Sequence, residues 1–461
     1  MKTLMVTISG VRGIFGAGLD AATIVRFAGA YGTWTRRRAE AAGRRPLVVV
    51  GRDARVTGDV CARLVTATLQ SVGCDVLDAG LATTPTVEMG VVLENGSGGI
   101  ILSASHNPAQ WNALKLLNET GEFLDPDQAR EVIALADEEA DTVSYDRLGS
   151  YEARDLLDAH IDAILDLDFI YRDAIARRGF RVAVDGINSV GAIALPRLLD
   201  RLGVTDVTVL NGEPNGLFAH NPEPLPAHLT GILDEVRTSG ADLGLVVDPD
   251  ADRLAFVADG GDYVSEELTQ VLAADMLWHV KSGPFVTNLS SSRAIEDVAA
   301  RYGERTYRSA VGEVNVVVKM HEVGAALGGE GNGGVILPDL HHGRDALAGT
   351  AMILSHLATT GQRLSEWVAD LPDYRIAKHK LSVDGLDAKA LLAALATKYA
   401  AGGDGIRGVS TVDGVKVDLA DGWVHVRASN TEPILRIYAE APSDEAADAL
   451  AERFKAELLA G

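Results

Sequence analysis

A chain of 461 residues is too long for a single hydrophobic core at roughly 100–200 residues per domain, so several folding units are expected. Hydrophobic residues make up 47% and charged residues 23%, which excludes bulk disorder and provides apolar surface for ordinary cores. The formal net charge of -23 opposes nucleic-acid phosphates and anionic membranes, and also any phosphorylated small molecule unless arginines and backbone amides are gathered locally.

Arg12 interrupts the first apolar stretch too early for a signal peptide, and no run approaches the ~18 apolar residues of a membrane span, so neither export nor membrane insertion is expected. The cysteines, Cys61 and Cys74, are spaced neither as zinc ligands nor as a disulfide framework, and read as buried thiols in a reducing cytoplasm. Three stretches then share one form: an apolar run, a polar turn, an amphipathic helix, a glycine and a second strand, the signature of a βαβ unit. The first runs from the strand 47–50 through GRDAR and a helix over 59–72 to a strand around Val76. The second leads from 181–184 through DGINSVG and a helix over 192–202 to 207–210. The third leads from Phe285 through NLSSS and a helix over 293–302 to Thr306. The spacing of about one domain per copy predicts a triplicated architecture. Beyond Leu371 the texture changes to short strands at 409–412, 424–426 and 435–439 and a final helix over 443–459, an α+β unit with antiparallel strands. The expected domains are 1–150, 151–259, 260–371 and 372–461.

Four segments carry the chemistry. SASHNP (103–108) follows the apolar strand 99–102 and puts Ser105 where ligands of open α/β sheets bind. It lacks a G-x-S-x-G elbow, and adjacent serine and histidine rarely face one another as nucleophile and base. DPDADR (248–253) sets Asp248, Asp250 and Asp252 at alternate positions between two strands. In an extended chain these carboxylates share a side and suit one hard cation, magnesium above all. An EF-hand loop is rejected, because Arg253 stands where its glycine is required. GEGNGG (329–334) matches a dinucleotide pattern but leads into a strand rather than a helix, so Glu330 and Asn332 read better as hydrogen-bonding groups for sugar hydroxyls. RASNTEP (427–433), with Arg436 behind it, reads as a phosphate clamp, and Arg12, Arg52 and Arg55 are candidates for further positive charge near Ser105.

In this order, SGVRG, SASHNP, DPDADR, GEGNGG and RASNTEP resemble the α-D-phosphohexomutase family across nearly the whole chain. The resemblance implies an α/β protein of four domains around a central cleft, three related mixed α/β domains followed by a smaller C-terminal α+β domain. It implies an isomerase that moves a phosphoryl group between the 1 and 6 positions of a hexose. Ser105 would be the phosphoserine. Asp248, Asp250 and Asp252, completed by Ser105, would hold one Mg2+ per chain, and a sugar 1,6-bisphosphate would be the intermediate. Glu330 and Asn332 would hold the sugar, and Arg427, Ser429, Asn430 and Thr431, assisted by Arg436, the nontransferred phosphate. Arg12, His106, Lys115 and Arg253 would surround the transferring group, with His106 or Lys115 as base.

Two residues depart from the family's pattern: Asn332 replaces the usual serine of the sugar loop, and Asn112-Ala113 replaces asparagine-glycine. The GEGNGG and DPDADR variants resemble one branch of such mutases, which implies glucosamine phosphate as the expected substrate, against mannose or glucose phosphate. A noncatalytic sugar-phosphate sensor would need neither Ser105 nor the aspartate triad. A phosphatase using the same intermediate would release inorganic phosphate.

Overall fold

The computed structural model describes residues 3–8, 10–384, 386–403, 405–429 and 434–460. Two compact units form, Met1–Ser282 with Asn332–Val368, and Gly283–Gly331 with Ala369–Gly461. No helix among the described residues is long and apolar enough to cross a membrane.

The triplication expected from the βαβ signatures is present in the topology. The first copy runs strand Leu47–Arg52, helix Gly58–Ser71, strand Asp75–Leu81, helix Thr84–Leu93, strand Gly98–Leu102, strand Trp111–Leu117. The second runs Arg181–Asp185, helix Gly191–Arg201, Asp206–Leu210, helix Thr230–Ser239, Leu243–Val247, Leu254–Ala258. The third repeats the order with Phe285–Asn288, helix Ala294–Tyr302, Thr306–Ser309, helix Glu313–Val323, Leu327–Glu330, Gly334–Ile336. In every copy the first strand is central, paired in parallel with the second on one side and the third on the other. In the first two copies the fourth strand then returns antiparallel to the third.

Burial explains why these runs are nearly continuous in apolar residues. Gly98–Leu102, Leu243–Val247 and Leu254–Ala258 are buried along their whole length, as strands covered on both faces must be. The outer strand Asp206–Leu210 is largely exposed and alternates with Asp and Thr. Helix starts follow ordinary capping chemistry: Thr83 accepts from the amide of Thr86 with proline in the first turn, and Asp125 and Gln128 form a reciprocal capping box.

The C-terminal region is the expected antiparallel α+β unit. Its strands lie in the order Arg375–Ser382, Ile434–Ala441, Trp423–Ala428, Val415–Leu419, Ile406–Ser410, with helices Ala388–Ala400 and Asp444–Ala460. The sequence reading places a strand at 409–412. The strand ends instead at Ser410, because Val412 is exposed and Gly414, at φ +69°, turns the chain toward Val415–Leu419.

Candidate active site

Three of the four loops named for chemistry are one loop met repeatedly. SASHNP, DPDADR and the glycine segment each connect the third strand of a copy to the fourth, at the carboxyl end of a parallel strand. Each also holds one residue with left-handed backbone: Ser105 at φ +49°, Ala251 at +53° and Gly333 at +89°. Only the last is a glycine, so the first two loops hold a conformation that L-residues avoid.

Ser105 is buried on a loop braced from below. Its amide donates to Ser103 Oγ at 2.9 Å, and Ser103 Oγ donates to Asp53 Oδ2 at 2.7 Å. Asp53 also pairs with Arg55 Nε at 2.8 Å, and Arg55 donates to the carbonyls of Pro108 at 2.8 Å, Trp111 at 3.0 Å, and Ser105. Arg55 lies at Ser105 as expected, and with its side chain fully buried and donating to the loop carbonyls it shapes the loop. Arg52 donates to the carbonyl of Asp53, in the same supporting layer.

Across from this loop stands the acidic group. Ser105 Oγ donates to Asp248 Oδ2 at 2.6 Å, and one ligand atom from each of Asp248, Asp250 and Asp252 lies within 4.8 Å of the others, all buried. The three carboxylates do not meet by alternation along an extended chain, as the spacing suggests. The segment is a turn, closed by the amide of Ala251 on the carbonyl of Asp248 at 3.0 Å, and the left-handed Ala251 swings the acids together. The physical reason is that the chain must reverse here to enter the antiparallel strand Leu254–Ala258.

The protein occupies part of each carboxylate. Asp250 Oδ2 accepts from Lys115 Nζ at 2.6 Å and Thr84 Oγ1 at 2.7 Å, and Asp252 Oδ2 from Arg344 Nη2 at 2.7 Å. Asp248 Oδ1 accepts from the amides of Asp252 and Arg253, both at 3.2 Å. Asp250 Oδ1 and Asp252 Oδ1 are buried without a hydrogen-bond partner. Buried carboxylate oxygens with nothing to neutralise them are costly, and an all-oxygen donor set is what a hard divalent cation takes. The residues thus fit a magnesium-type ion.

The electrostatics agree. Burial, with Asp252 and Asp250 adding repulsion, pushes the Asp248 carboxyl well above the usual carboxylate range. Burial opposes the charge of Asp250 too, but Lys115 and Thr84 hold it well below that range. Lys115 is disfavoured by burial and raised by Asp250 and Asp252, so it stays an ammonium. His106 is pushed down to about 2 by Arg253, then by burial, Arg12 and Arg344, and is neutral. Its Nδ1 lies 3.4 Å from Ser105 Oγ, so the adjacent serine and histidine do approach, at more than the usual hydrogen-bond distance. Arg12 is fixed by Nη1 on Asn107 Oδ1 at 2.7 Å. Arg12, Lys115, Arg253 and Arg344 gather positive charge around His106 and the acids.

The other expected residues fall as follows. Asn332 belongs to the first unit and accepts from the amide of Gly334 at 3.2 Å. Glu330, Arg427, Ser429 and Arg436 belong to the second. There Glu330 is buried, with Oε1 accepting from Asn288 Nδ2 at 2.8 Å and the amide of Gly312 at 3.1 Å, and Arg427 Nε pairs with Asp413 Oδ2 at 3.0 Å. Asn430 and Thr431 lie outside the described residues.

Four consecutive stretches match the phosphoglucomutase/phosphomannomutase domains: alpha/beta/alpha domain I over residues 4–142, domain II over 158–261, domain III over 265–374 and the C-terminal domain over 380–457. The chain belongs to this family. A phosphoglucomutase/phosphomannomutase of Thermococcus kodakarensis is 38% identical over 95% of the chain and 94% of its own length. A phosphoglucosamine/phosphogalactosamine mutase of Sulfurisphaera tokodaii is 30% identical over 97% of each. The crystal structure of a phosphoglucomutase/phosphomannomutase family protein from Burkholderia thailandensis superposes with a TM-score of 0.83 at 27% identity, covering 99% of this chain and 98% of the other. The protein is thus a phosphohexomutase, an isomerase of the intramolecular phosphotransferase type.

Sequence reasoning missed several groups of this phosphohexomutase. Thr84 and Arg344, which grip the acids, sit at a helix start and in HHGRDA, where nothing in the local pattern announces a partner. Behind Arg344 lies a buried chain: His160 Nε2 and His341 Nε2 both meet Asp345 Oδ2, at 2.9 and 3.4 Å, and His341 Nδ1 lies 3.3 Å from Glu88 Oε2. The pair of adjacent histidines, His341-His342, is the only trace of it in the sequence.

Proposed function

We propose that the enzyme interconverts hexose 1-phosphate and 6-phosphate through phosphorylated Ser105 and a bisphosphorylated sugar, with glucosamine phosphate as the favoured substrate. The carrying observation is Ser105 Oγ at 2.6 Å from Asp248 Oδ2, inside a buried group of three aspartates with unpartnered oxygens. Asp248, Asp250 and Asp252, with the group on Ser105, would hold one Mg2+, which neutralises charge on the nonbridging oxygens in phosphoryl transfer.

The residues divide the remaining work. The bond from phosphorus to Ser105 Oγ breaks as one forms to the sugar oxygen, and the sugar's proton is taken by neutral His106, or by Lys115 once it has given a proton to Ser105 Oγ, which ends as a hydroxyl. Arg12 and Arg253 draw charge from the transferring group. Glu330 and Asn332 engage the hydroxyls, and the loop of Arg427, Ser429, Asn430 and Thr431, with Arg436, takes the phosphate that is not moving. The bisphosphate then reverses, and its other phosphate returns to Ser105. The free buried thiols Cys61 and Cys74 support a cytoplasmic setting.

Intact mass of the purified protein is expected to show one phosphate, lost in Ser105→Ala together with mutase turnover while the thermal midpoint is kept. Normal turnover in that variant would exclude Ser105 as donor. A broad glucose and mannose preference is the alternative, favoured by the name of the Thermococcus relative, whereas the Sulfurisphaera relative supports amino sugars. A coupled assay of the glucosamine, mannose and glucose 1-phosphates ranks them by kcat/KM, and glucosamine 1-phosphate is expected first.

A further inference from the structure

In the second unit, Glu330 and Arg427 stand on different sheets and are read for different ends of the substrate, yet one chain of hydrogen bonds joins them. Glu330 Oε1 accepts from the amide of Gly312 at 3.1 Å. The preceding amide, Val311, donates to Asp413 Oδ2 at 3.1 Å, and the same oxygen accepts from Arg427 Nε at 3.0 Å. Asp413 is itself fixed by its backbone: its carbonyl accepts from His425 Nε2 at 2.5 Å, and His425 Nδ1 meets Ser290 Oγ at 2.8 Å. Ser290 belongs to the turn of Asn288, whose side chain donates to the same oxygen of Glu330 at 2.8 Å. The chain therefore closes on itself, from Glu330 through Asp413 and His425 back to Glu330.

Two features single out Asp413 in this ring. Its carboxylate oxygen binds one donor from the loop 311–312 and one from the C-terminal sheet, so it ties the loop beside Glu330 directly to the Arg427 side chain. The following residue, Gly414, has φ +69°, and a Cβ built there would stand 2.8 Å from Cα of Arg427 and 2.2 Å from the carbonyl of Val426. Only glycine allows the Asp413 turn to lie this close to the arginine strand. Taking the Nε edge of a guanidinium also fixes its plane, which is the preorganisation that planar phosphate recognition needs.

We infer that Asp413 is a positioning residue that sets Arg427 at a fixed distance from Glu330, matching the sugar hydroxyls and the nontransferred phosphate of one substrate molecule. The inference rests on Arg427 being a phosphate-binding residue and Glu330 a sugar-binding one. Asp413 touches neither sugar nor phosphate. Its effect is on binding of the whole substrate, and the phosphoryl step at Ser105 is left intact.

The test uses the full-length phosphorylated enzyme with glucosamine 1-phosphate, measuring KM and kcat separately. Asp413→Asn keeps the size and removes the charge from the oxygen that Val311 and Arg427 share. It is expected to raise KM roughly 10- to 100-fold with kcat within about threefold, the loss of a charge-assisted contact. Phosphate on Ser105, read by intact mass, should be unchanged. A purely structural role for Asp413 would lower the active fraction and kcat without moving KM. If Asp413→Asn does not fold, Asp413→Glu, which keeps the charge and displaces it, is expected to raise KM in the same direction. Unchanged KM in the folded variant overturns the inference. Arg427→Ala separates the premises: if it raises KM while Asp413→Asn does not, Asp413 is not the positioning group. If Arg427→Ala leaves KM unchanged, the phosphate-clamp reading fails and the inference falls with it.

Discussion

The loops 103–110 and 248–253 occupy the same place in successive copies of one topology, and each bends through a left-handed non-glycine residue, Ser105 or Ala251. Their chemistry is opposite. The first presents a hydroxyl and an imidazole over a backbone gripped by Arg55; the second presents three carboxylates, two of them gripped by Lys115, Thr84 and Arg344 and the third by backbone amides. The difference teaches that the fold supplies a position and a turn, while the loop residues decide what is done there. In the first loop the braces hold the main chain and leave the side chains available. In the second they hold one oxygen of Asp250 and one of Asp252 and leave the other of each without a hydrogen bond, where an ion can take it.

The comparison breaks most visibly if the acids are not a single unit. Asp250→Asn keeps the volume and removes a charge, and it is expected to weaken Mg2+ binding and lower kcat roughly 100- to 1,000-fold, the loss of a preorganised charge partner. Calorimetric metal titration of the protein checks the first effect independently of activity. Metal affinity equal to the parent's would mean that the charge of Asp250 does not contribute to holding the ion.

A second contrast lies in the braces. The first loop is braced by the guanidinium of Arg55 on its backbone carbonyls. Behind Arg344, however, stands His341, faced by Asp345, Glu88 and, across Asp345, His160. Burial opposes its charge, but hydrogen bonds and attraction from Asp345 and Glu88 hold its pKa up at about 10, against 6.5 for a free imidazole. Below 6.5 both folded and unfolded chains carry this proton, and its stabilising effect is complete. Between 6.5 and about 10 the folded chain binds more protons than the unfolded one, so stability falls as pH rises. Urea midpoints measured from pH 6 to 10 are expected to decline by a few kcal/mol equivalent, and His341→Gln should flatten the slope. An unchanged slope in that variant would assign the decline to other groups.

How much of this was legible before any coordinates follows the same division. The strands 47–50, 181–184 and around Phe285 are read correctly because parallel strands buried on both faces are unbroken apolar runs. Arg375–Ser382 and Val415–Leu419 are missed because lysine, histidine and aspartate interrupt them on strands with a partly exposed face. The helix Ala388–Ala400 is missed as well, although Asp387 caps its start. Among site residues, Ser105 and the aspartates announce themselves by clustering in short segments. Thr84, Arg344 and Asp413 are isolated in sequence and gain their partners only through sheet topology, across separations of 166, 92 and 14 residues. A motif reports the groups that act; the groups that hold them are long-range and ordinary in kind.

The smallest expected effect probes the shared turn itself. Left-handed backbone costs an L-residue about 1–2 kcal/mol, so Ala251→Gly should recover that strain. Against it stand the greater freedom of glycine in the unfolded chain, about 0.5–1 kcal/mol, and the burial of the Ala251 methyl, roughly 0.8 kcal/mol. Ala251 is fully buried, so both opposing terms apply in full. The sum is near zero, and Ala251→Gly is expected to unfold within about 1 kcal/mol of the parent. A loss beyond roughly 2 kcal/mol would mean that packing against the methyl, and not backbone strain, fixes this turn. The same substitution at Ser105 removes the hydroxyl proposed to carry the phosphate along with the strain, so on that proposal the chain must keep its unfavourable conformation there. Strain retained at one of two equivalent turns by chemistry, and at the other by packing alone, is a difference that this pair of positions can measure.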